Sequence, residues 1–186
     1  VFFMQLDLDR GYVMCPTGTG NLYIVGMRGV DFTLLEMTSE GGFVSSRVID
    51  VGILGLDAIS DMIVDSDGNL VVTGNLKEDS PDNCYVFRYN QVLGQTLWAK
   101  MFGANQSQVL GVLENGPGGN FIVYTRRVFP NIDNAEFFQM NRTNGNIVPG
   151  TAWWYFDGSF HSMILHNGRL LAAGSWLDGT GTLSDA

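Results

Sequence analysis

The chain alternates between short apolar runs and glycine- or asparagine-rich turns, and the same cassette occurs four times. Its copies are VMCPTGTGNLYIVG (13–26), MIVDSDGNLVVTG (62–74), VLENGPGGNFIVYT (112–125) and MILHNGRLLAAG (163–174). Each reads as strand, tight turn, strand, because β-branched and aromatic runs bounded by Gly, Asn and Asp favour hairpins over helices. The anchors Leu22, Leu70, Phe121 and Leu170 are separated by 48, 51 and 49 residues. A period near 50 suits one blade of a β-propeller per unit. A second cassette lies between the hairpins: FTLLEMTSEGG (32–42), YVFRYNQVLG (85–94) and FFQMNRTNG (137–145), with FFMQLDLDRG (2–11) at the start of the chain. A further apolar strand follows, clearest in QTLWAKMF (95–102).

Each unit thus predicts about four short strands. The runs LYIV, LVV and FIVY lack polar alternation, so their sheets are expected to be covered on both faces. The expected fold class is all-β, a β-propeller of about four repeats forming a single domain over residues 1–186. The repeat units are approximately 12–53, 54–103, 104–156, and 157–186 together with 1–11. A small residue recurs four positions after each anchor, at Gly26, Gly74, Thr125 and Gly174. It marks either close backbone approach or the end of the strand. From turn to hairpin the first unit has only nine residues, Gly11 to Gly20. Either the first blade is degenerate or the sequence skips a strand there.

The two ends of the chain match each other. TLSDA, read on into VFFMQLDLDRG, makes a well-formed repeat junction. The segment Phe2, Phe3, Met4, Gln5, Leu6 and Asp7 is therefore a candidate partner strand. It would complete the last blade within its own chain or in the next copy, and the latter would build a filament. A piece of a longer propeller is the third reading.

Composition narrows the function classes. The net charge of −9 argues against nucleic acid, whose phosphates require Lys and Arg, and against anionic lipid. No apolar run approaches the length needed to span a bilayer. Cys15 and Cys84 either form one bridge or remain buried thiols.

The run SDMIVDSDGNLVVTGN, followed by CYVFRYNQVLGQTLWAKMFG, resembles the secreted bacterial β-propeller repeats known as SBBP-type. Their units read roughly as strand, DxxGNxYVTG, a variable loop, then DAFVxKLDxxGxxxWxKxFGG. The resemblance covers nearly the whole chain. It departs at Thr125, at the short first unit, and in the last-strand tryptophan, which is clear only at Trp98. It implies export, surface exposure and a role in adhesion or scaffolding, with no fixed ligand and no enzyme.

Candidate chemistry is sparse. Asp65-Ser66-Asp67-Gly68-Asn69 opens like a calcium loop but lacks the full pattern and its glutamate; the same residues make a hairpin turn. His161 and His166, five apart, are a poor metal pair. Asp57, Asp61, Asp65 and Asp67 read as solvated turns and strand ends rather than as a glycosidase pair. No nucleophile elbow, zinc-protease helix motif or P-loop is present. Trp153-Trp154-Tyr155-Phe156 is either mostly buried between blades or, at Trp153 and Trp154, an exposed aromatic patch that stacks on sugars. Asn105-Gln106-Ser107 and Asn141-Arg142-Thr143 match the N-glycosylation pattern, so Asn105 and Asn141 are candidate glycan sites.

The expectation is a non-catalytic extracellular or cell-surface structural or interaction module without cofactor or metal. It can serve as a self-assembling surface-fibre subunit, with protein partners or copies of itself. The alternative is a carbohydrate-binding propeller or a glycan-active hydrolase.

Overall fold

The computed structural model describes residues 10–28, 31–52, 56–76, 84–103, 107–116, 118–129, 132–155, 158–177 and 183–185. These fold into four antiparallel sheets, and no helix is present among them. Sheet 1 contains β1 (Arg10–Pro16), β2 (Leu22–Arg28), β3 (Asp31–Met37) and β4 (Phe43–Ile49). In sheet 2 are β5 (Leu56–Val64), β6 (Leu70–Leu76), β7 (Cys84–Asn90) and β8 (Gln95–Phe102). Sheet 3 holds β9 (Ser107–Glu114), β10 (Phe121–Phe129), β11 (Ile132–Met140) and β12 (Trp153–Tyr155). The last, sheet 4, has β13 (Gly158–His166), β14 (Arg169–Leu177) and β15 (Leu183–Asp185). In every sheet the strands lie in chain order, each paired with its sequence neighbour.

The strands of sheets 1, 2 and 3 run over 10–49, 56–102 and 107–155. The short stretch from Gly11 to Gly20 does not signal a degenerate first sheet. Sheet 1 has all four strands, and β1 follows directly at Arg10. The third strand of sheet 4 is β15, near the C-terminal end of the chain, where the sequence reading expects the strand to come from residues 1–11. It pairs with the Ser175–Leu177 end of β14.

Turn chemistry explains the hairpins. Thr17, Thr38 and Asp65 each use a side-chain oxygen to accept the amide N–H four residues on, at 2.9–3.0 Å. Within each turn a glycine with positive φ, Gly20, Gly41 or Gly68, donates back to the first residue's carbonyl. This is a type I turn closed by a left-handed residue that only glycine adopts cheaply. The last hairpin instead turns on Asn167-Gly168, both at positive φ, the two-residue Asn-Gly turn that matches strand twist.

The small residue of each repeat does not end a strand. Gly26, Gly74, Thr125 and Gly174 lie inside β2, β6, β10 and β14. Each sits beside a β-bulge in the first strand of its sheet. At Gly74 the reason is steric: a Cβ there would lie 2.1 Å from both the Ala58 carbonyl oxygen and the Tyr85 hydroxyl. Tyr85 crosses this gap to donate to Ala58 at 2.9 Å. Bulges bend a strand and re-aim its side chains, and here they fall at one level in all four sheets.

The sheets stack in sequence. The first strands follow one another, β1 on β5, β5 on β9 and β9 on β13. Taking as front the face that sheets 2 and 3 turn to the preceding sheet, and as back the face that sheets 1 and 2 turn to the next, equivalent positions can be compared in all four sheets. The fronts carry equivalent cross-strand rows: Met14–Ile24–Leu35 in sheet 1, Met62–Val72–Phe87 in sheet 2, Val112–Val123–Phe138 in sheet 3 and Met163–Ala172 in sheet 4. The front of sheet 2 packs on the back of sheet 1 in one core, which includes Phe32, Tyr85 and Phe87. The front of sheet 3 packs on the back of sheet 2 in a second core, around Val71, Val86, Trp98, Phe121 and Phe138. Sheet 2 is therefore apolar on both faces, which accounts for the missing polar alternation in LVV and YVF.

Candidate functional site

The most elaborate polar cluster lies where the turns of sheets 2 and 3 meet. Asp65 starts the β5–β6 turn and is fully buried. Its Oδ1 accepts the N–H groups of Asp67 and Asn69, each at 2.9 Å. Its Oδ2 accepts Arg88 Nε at 2.7 Å. Arg88 projects from the middle of β7, an otherwise apolar strand, and its second donor reaches Asp67 at 2.8 Å. Arg142, in the turn after β11, approaches from sheet 3 and bonds Asp67 Oδ2 at 2.7 Å, Ser66 Oγ at 3.1 Å and Glu114 Oε1. Glu114 closes the ring by accepting the Ser66 N–H at 2.8 Å and its hydroxyl at 2.6 Å. Both guanidinium groups lie near the Phe121 ring, Arg88 at 5.9 Å and Arg142 at 5.7 Å from its centroid. Trp98 Nε1 donates to the Arg142 carbonyl at 2.9 Å, and Gly145 leaves room for the indole.

The electrostatics follow from this geometry. Burial works to raise the Glu114 carboxyl, but hydrogen bonds from Ser66 and Arg142 outweigh it and hold it below its usual value. Hydrogen bonds from Arg142 and Arg88 lower Asp67. For Arg142, burial opposes the charge, while Asp67 and Glu114 stabilise it and leave its pKa raised. Three carboxylates face two guanidinium groups, and both oxygens of Asp65 and of Glu114 accept protein donors. Such a charge-assisted network locks two sheets together. It also answers the calcium reading: arginines occupy the cation's place, and Asp65 serves the turn. Among the described residues no cluster of His, Cys, Asp and Glu could hold a metal.

A second joint lies deeper. β9 is an edge strand, whose outward N–H groups need partners. Asp61 Oδ2 accepts the Val112 N–H at 3.0 Å, while Asp61 Oδ1 accepts Met62 N–H at 2.8 Å. Asn75 Oδ1 accepts the Val109 N–H at 2.9 Å. Burial raises the Asp61 carboxyl, and the two amide bonds counter this only in part. The sequence reading of Asp61 and Asp65 as solvated turn residues is thus corrected: both are structural acceptors, while Asp67 is exposed and the side chain of Asp57 lies outside the described ones.

The remaining candidates scatter. Phe2, Phe3, Met4, Gln5, Leu6, Asp7 and Asn105 lie outside the described residues. Asn141 opens the turn that carries Arg142, and its side-chain oxygen accepts the Thr143 and Asn144 N–H groups. Trp153 is exposed on β12, edge-on to Phe137 with centroids 5.2 Å apart, so burial between sheets is corrected for this residue. Trp154 pairs through its backbone with Glu136. His161 sits at the bulge of β13, and His166 at its end. Cys15 and Cys84 are free thiols in different cores, on opposite sides of sheet 2. Burial pushes them up to about 11 and about 12, so both are un-ionised and inert near neutral pH. A shallow cleft of about 260 Å³ is lined by Phe102, Ser107, Thr125, Glu136, Phe138 and Ile147.

The charged cluster was missed from sequence because its members span positions 65 to 142. Two local signals pointed to it. Arg88 interrupts an apolar strand where the equivalent residues are Glu36 and Gln139. The Asp-Ser-Asp turn carries two acids where the turn residues 16–20, 115–119 and 167–168 of the other hairpins carry none. No protein-family model matches the chain, and no curated protein matches it.

Proposed function

We propose that this chain is a propeller-type structural or interaction module, non-catalytic and acting outside the cell or on its surface. The observation that carries the reading is the repeated stacking of front on back, with the best-built polar groups spent on joining sheets. The four sheets serve as blades, their bulged first strands facing a common axis. Sheet 4 is completed by the strand Phe2–Asp7, in cis or in trans. In support, β15 covers only the Ser175–Leu177 end of β14, and among the described residues no strand pairs with that edge from Arg169 to Gly174. The acidic charge of −9 suits a solvated surface that does not engage nucleic acid.

One observation favours the alternative of glycan binding: Trp153 presents an exposed indole, the kind of platform that stacks on a sugar ring. The test is a glycan array combined with a screen of chromogenic glycosides, alongside immunogold labelling of unpermeabilised source cells. The expected result is surface label with neither glycan capture nor turnover. Glycan capture abolished by Trp153→Ala would move the assignment to a carbohydrate-binding module, and turnover would move it to a hydrolase.

A further inference from the structure

Three Asn-Gly steps occur in the chain: Asn115-Gly116, Asn144-Gly145 and Asn167-Gly168. An asparagine followed by glycine carries chemistry of its own. No side chain shields the glycine nitrogen, which can attack the carboxamide carbon one residue back. The fold treats the three steps differently. Gly116 donates its N–H to the Glu114 carbonyl at 2.9 Å, and Gly145 donates to the Asn141 carbonyl at 2.8 Å. Asn144 is held further, because its Oδ1 accepts the Asn146 N–H at 2.9 Å and Gly145 lies against the Trp98 indole. At the third step both residues are exposed, and the Gly168 N–H meets no acceptor among the described residues. Asn167 is also the one non-glycine residue at positive φ among those described, at +50°, a conformation that disfavours an L-residue. A proton source stands beside its carboxamide: His166 Nε2 lies 3.2 Å from Asn167 Nδ2. The turn belongs to the end sheet, and Ile164, His166, Arg169 and Leu171 around it are all exposed. Opening this turn for the attack therefore breaks few buried contacts.

We propose that Asn167 is a site of self-modification, at which the chain converts its Asn167-Gly168 link to an isoaspartyl link with His166 as proton donor. The Gly168 nitrogen gives its proton to solvent and bonds to Asn167 Cγ. The Cγ–Nδ2 bond then breaks. The leaving nitrogen takes a proton from the protonated His166 imidazole and departs as ammonia, and solvent reprotonates the ring. The product is a cyclic imide. Water opens it at the Asn167 main-chain carbonyl: the bond from that carbon to the Gly168 nitrogen breaks, the nitrogen regains a proton, and a free α-carboxylate remains. The main chain now runs through Cβ and Cγ. One water is consumed and one ammonia released, with no change of oxidation state. The register pairing His166 with Arg169 and Leu165 with Leu170 relies on a two-residue turn. An added methylene and a new carboxylate loosen that turn, and with it sheet 4, while sheets 1 to 3 are untouched.

The test holds the full folded chain near neutral pH and maps its digests by mass spectrometry over time. Isoaspartyl methyltransferase labelling tells isoaspartate from aspartate, and a parallel sample in urea reports the same steps without the fold. In the folded chain isoaspartate is expected at position 167, with an equivalent of ammonia, roughly tenfold faster than any product at 115 or 144, a difference set by the ease of opening each turn. In urea the three rates are expected to converge. His166→Gln, at an exposed position and checked by circular dichroism, is expected to slow the reaction of the folded chain by about tenfold, less than a rigidly held acid contributes. Equal rates at the three steps of the folded chain, or faster reaction at 115 or 144, overturn the proposal. An unchanged rate in His166→Gln overturns the assigned proton donor.

Discussion

The two interfaces on either side of sheet 2 each have an apolar core and differ in what surrounds it. Between sheets 1 and 2, Phe32, Tyr85 and Phe87 form an aromatic cluster with ring centroids 5.1 to 6.2 Å apart. The turns above it hold themselves together with a threonine and an Asn21–Glu36 hydrogen bond. Between sheets 2 and 3 there is an apolar core too, but it is topped by the network of Asp65, Asp67, Glu114, Arg88 and Arg142 and footed by Asp61. Apolar contact is non-directional and tolerates sliding. Charged groups with fixed geometry do not, and a buried pair is better regarded as a device for register than as a source of net stability. The same hairpin cassette can therefore be joined mainly by apolar contact, with hydrogen bonds from Arg47 to the Gln91 carbonyl and from Thr96 to the Asp50 carbonyl at its rim, or pinned by a charged network, and the difference requires only a handful of side chains.

The sharpest way to break this comparison is to damage each interface once. Phe87→Ala is expected to cost about 3–5 kcal/mol through lost burial and cavity, with little dependence on salt or pH. Arg88→Met is expected to cost a similar ~3–5 kcal/mol, because Asp65 is left buried with its Oδ2 unpaired and only Arg142, 3.5 Å from its Oδ1, to offset the charge. Urea denaturation would measure both. The contrast lies in repair: adding Asp65→Asn to Arg88→Met should recover part of the loss, whereas no polar substitution repairs Phe87→Ala. If Arg88→Met proves nearly neutral, the network is not desolvated as the geometry indicates.

Acid should act on one interface before the other. The folded-state values of Glu114 and Asp67 lie below their ordinary values of 4.5 and 3.8. Their contribution is thus fully present above those ordinary values and is lost as pH falls through the lowered ones. Asp61 runs the other way: its raised value makes the ionised form a burden, so stability falls as pH climbs from 3.8 through that value. Hydrogen exchange at low pH is expected to deprotect the β5–β6 turn and the Arg142 turn while β2 and β3 remain protected. Equal deprotection of both interfaces would refute the distinction.

The smallest expected effects concern two glycines. Gly20→Ala, with φ of +87° and open space around it, is expected to cost about 1 kcal/mol of backbone strain. Gly74→Ala drives a methyl into the Ala58 carbonyl and the Tyr85 hydroxyl and should cost several times as much. Thermal melts of the pair separate conformational from steric demand.

Much of the fold was legible because the hairpin cassette repeats. Leu22, Leu70 and Phe121 each open the second strand of a sheet, and Leu170 lies one residue into β14. Turn glycines fell where positive φ is required. The bulges were not legible, because a bulge is a property of two paired strands and only its partner, the small residue, leaves a mark on the sequence. Nor was the pinning network, since Arg142 meets Asp67 across 75 residues. A single arginine in CYVFRYN signals a buried partner without naming it. The aspartates were misread for the complementary reason: an acid in a turn looks solvated until the donors opposite it are known.

Sheet 2 has a consequence for how the chain loses its structure. Both its faces are core, so it cannot be released without stripping sheet 1 on one side and sheet 3 on the other. The end sheets can each peel away alone. Unfolding should accordingly proceed inward, as fraying of a linear array in which each unit answers only to its neighbours, with Val71 and Val86 among the last amides to exchange.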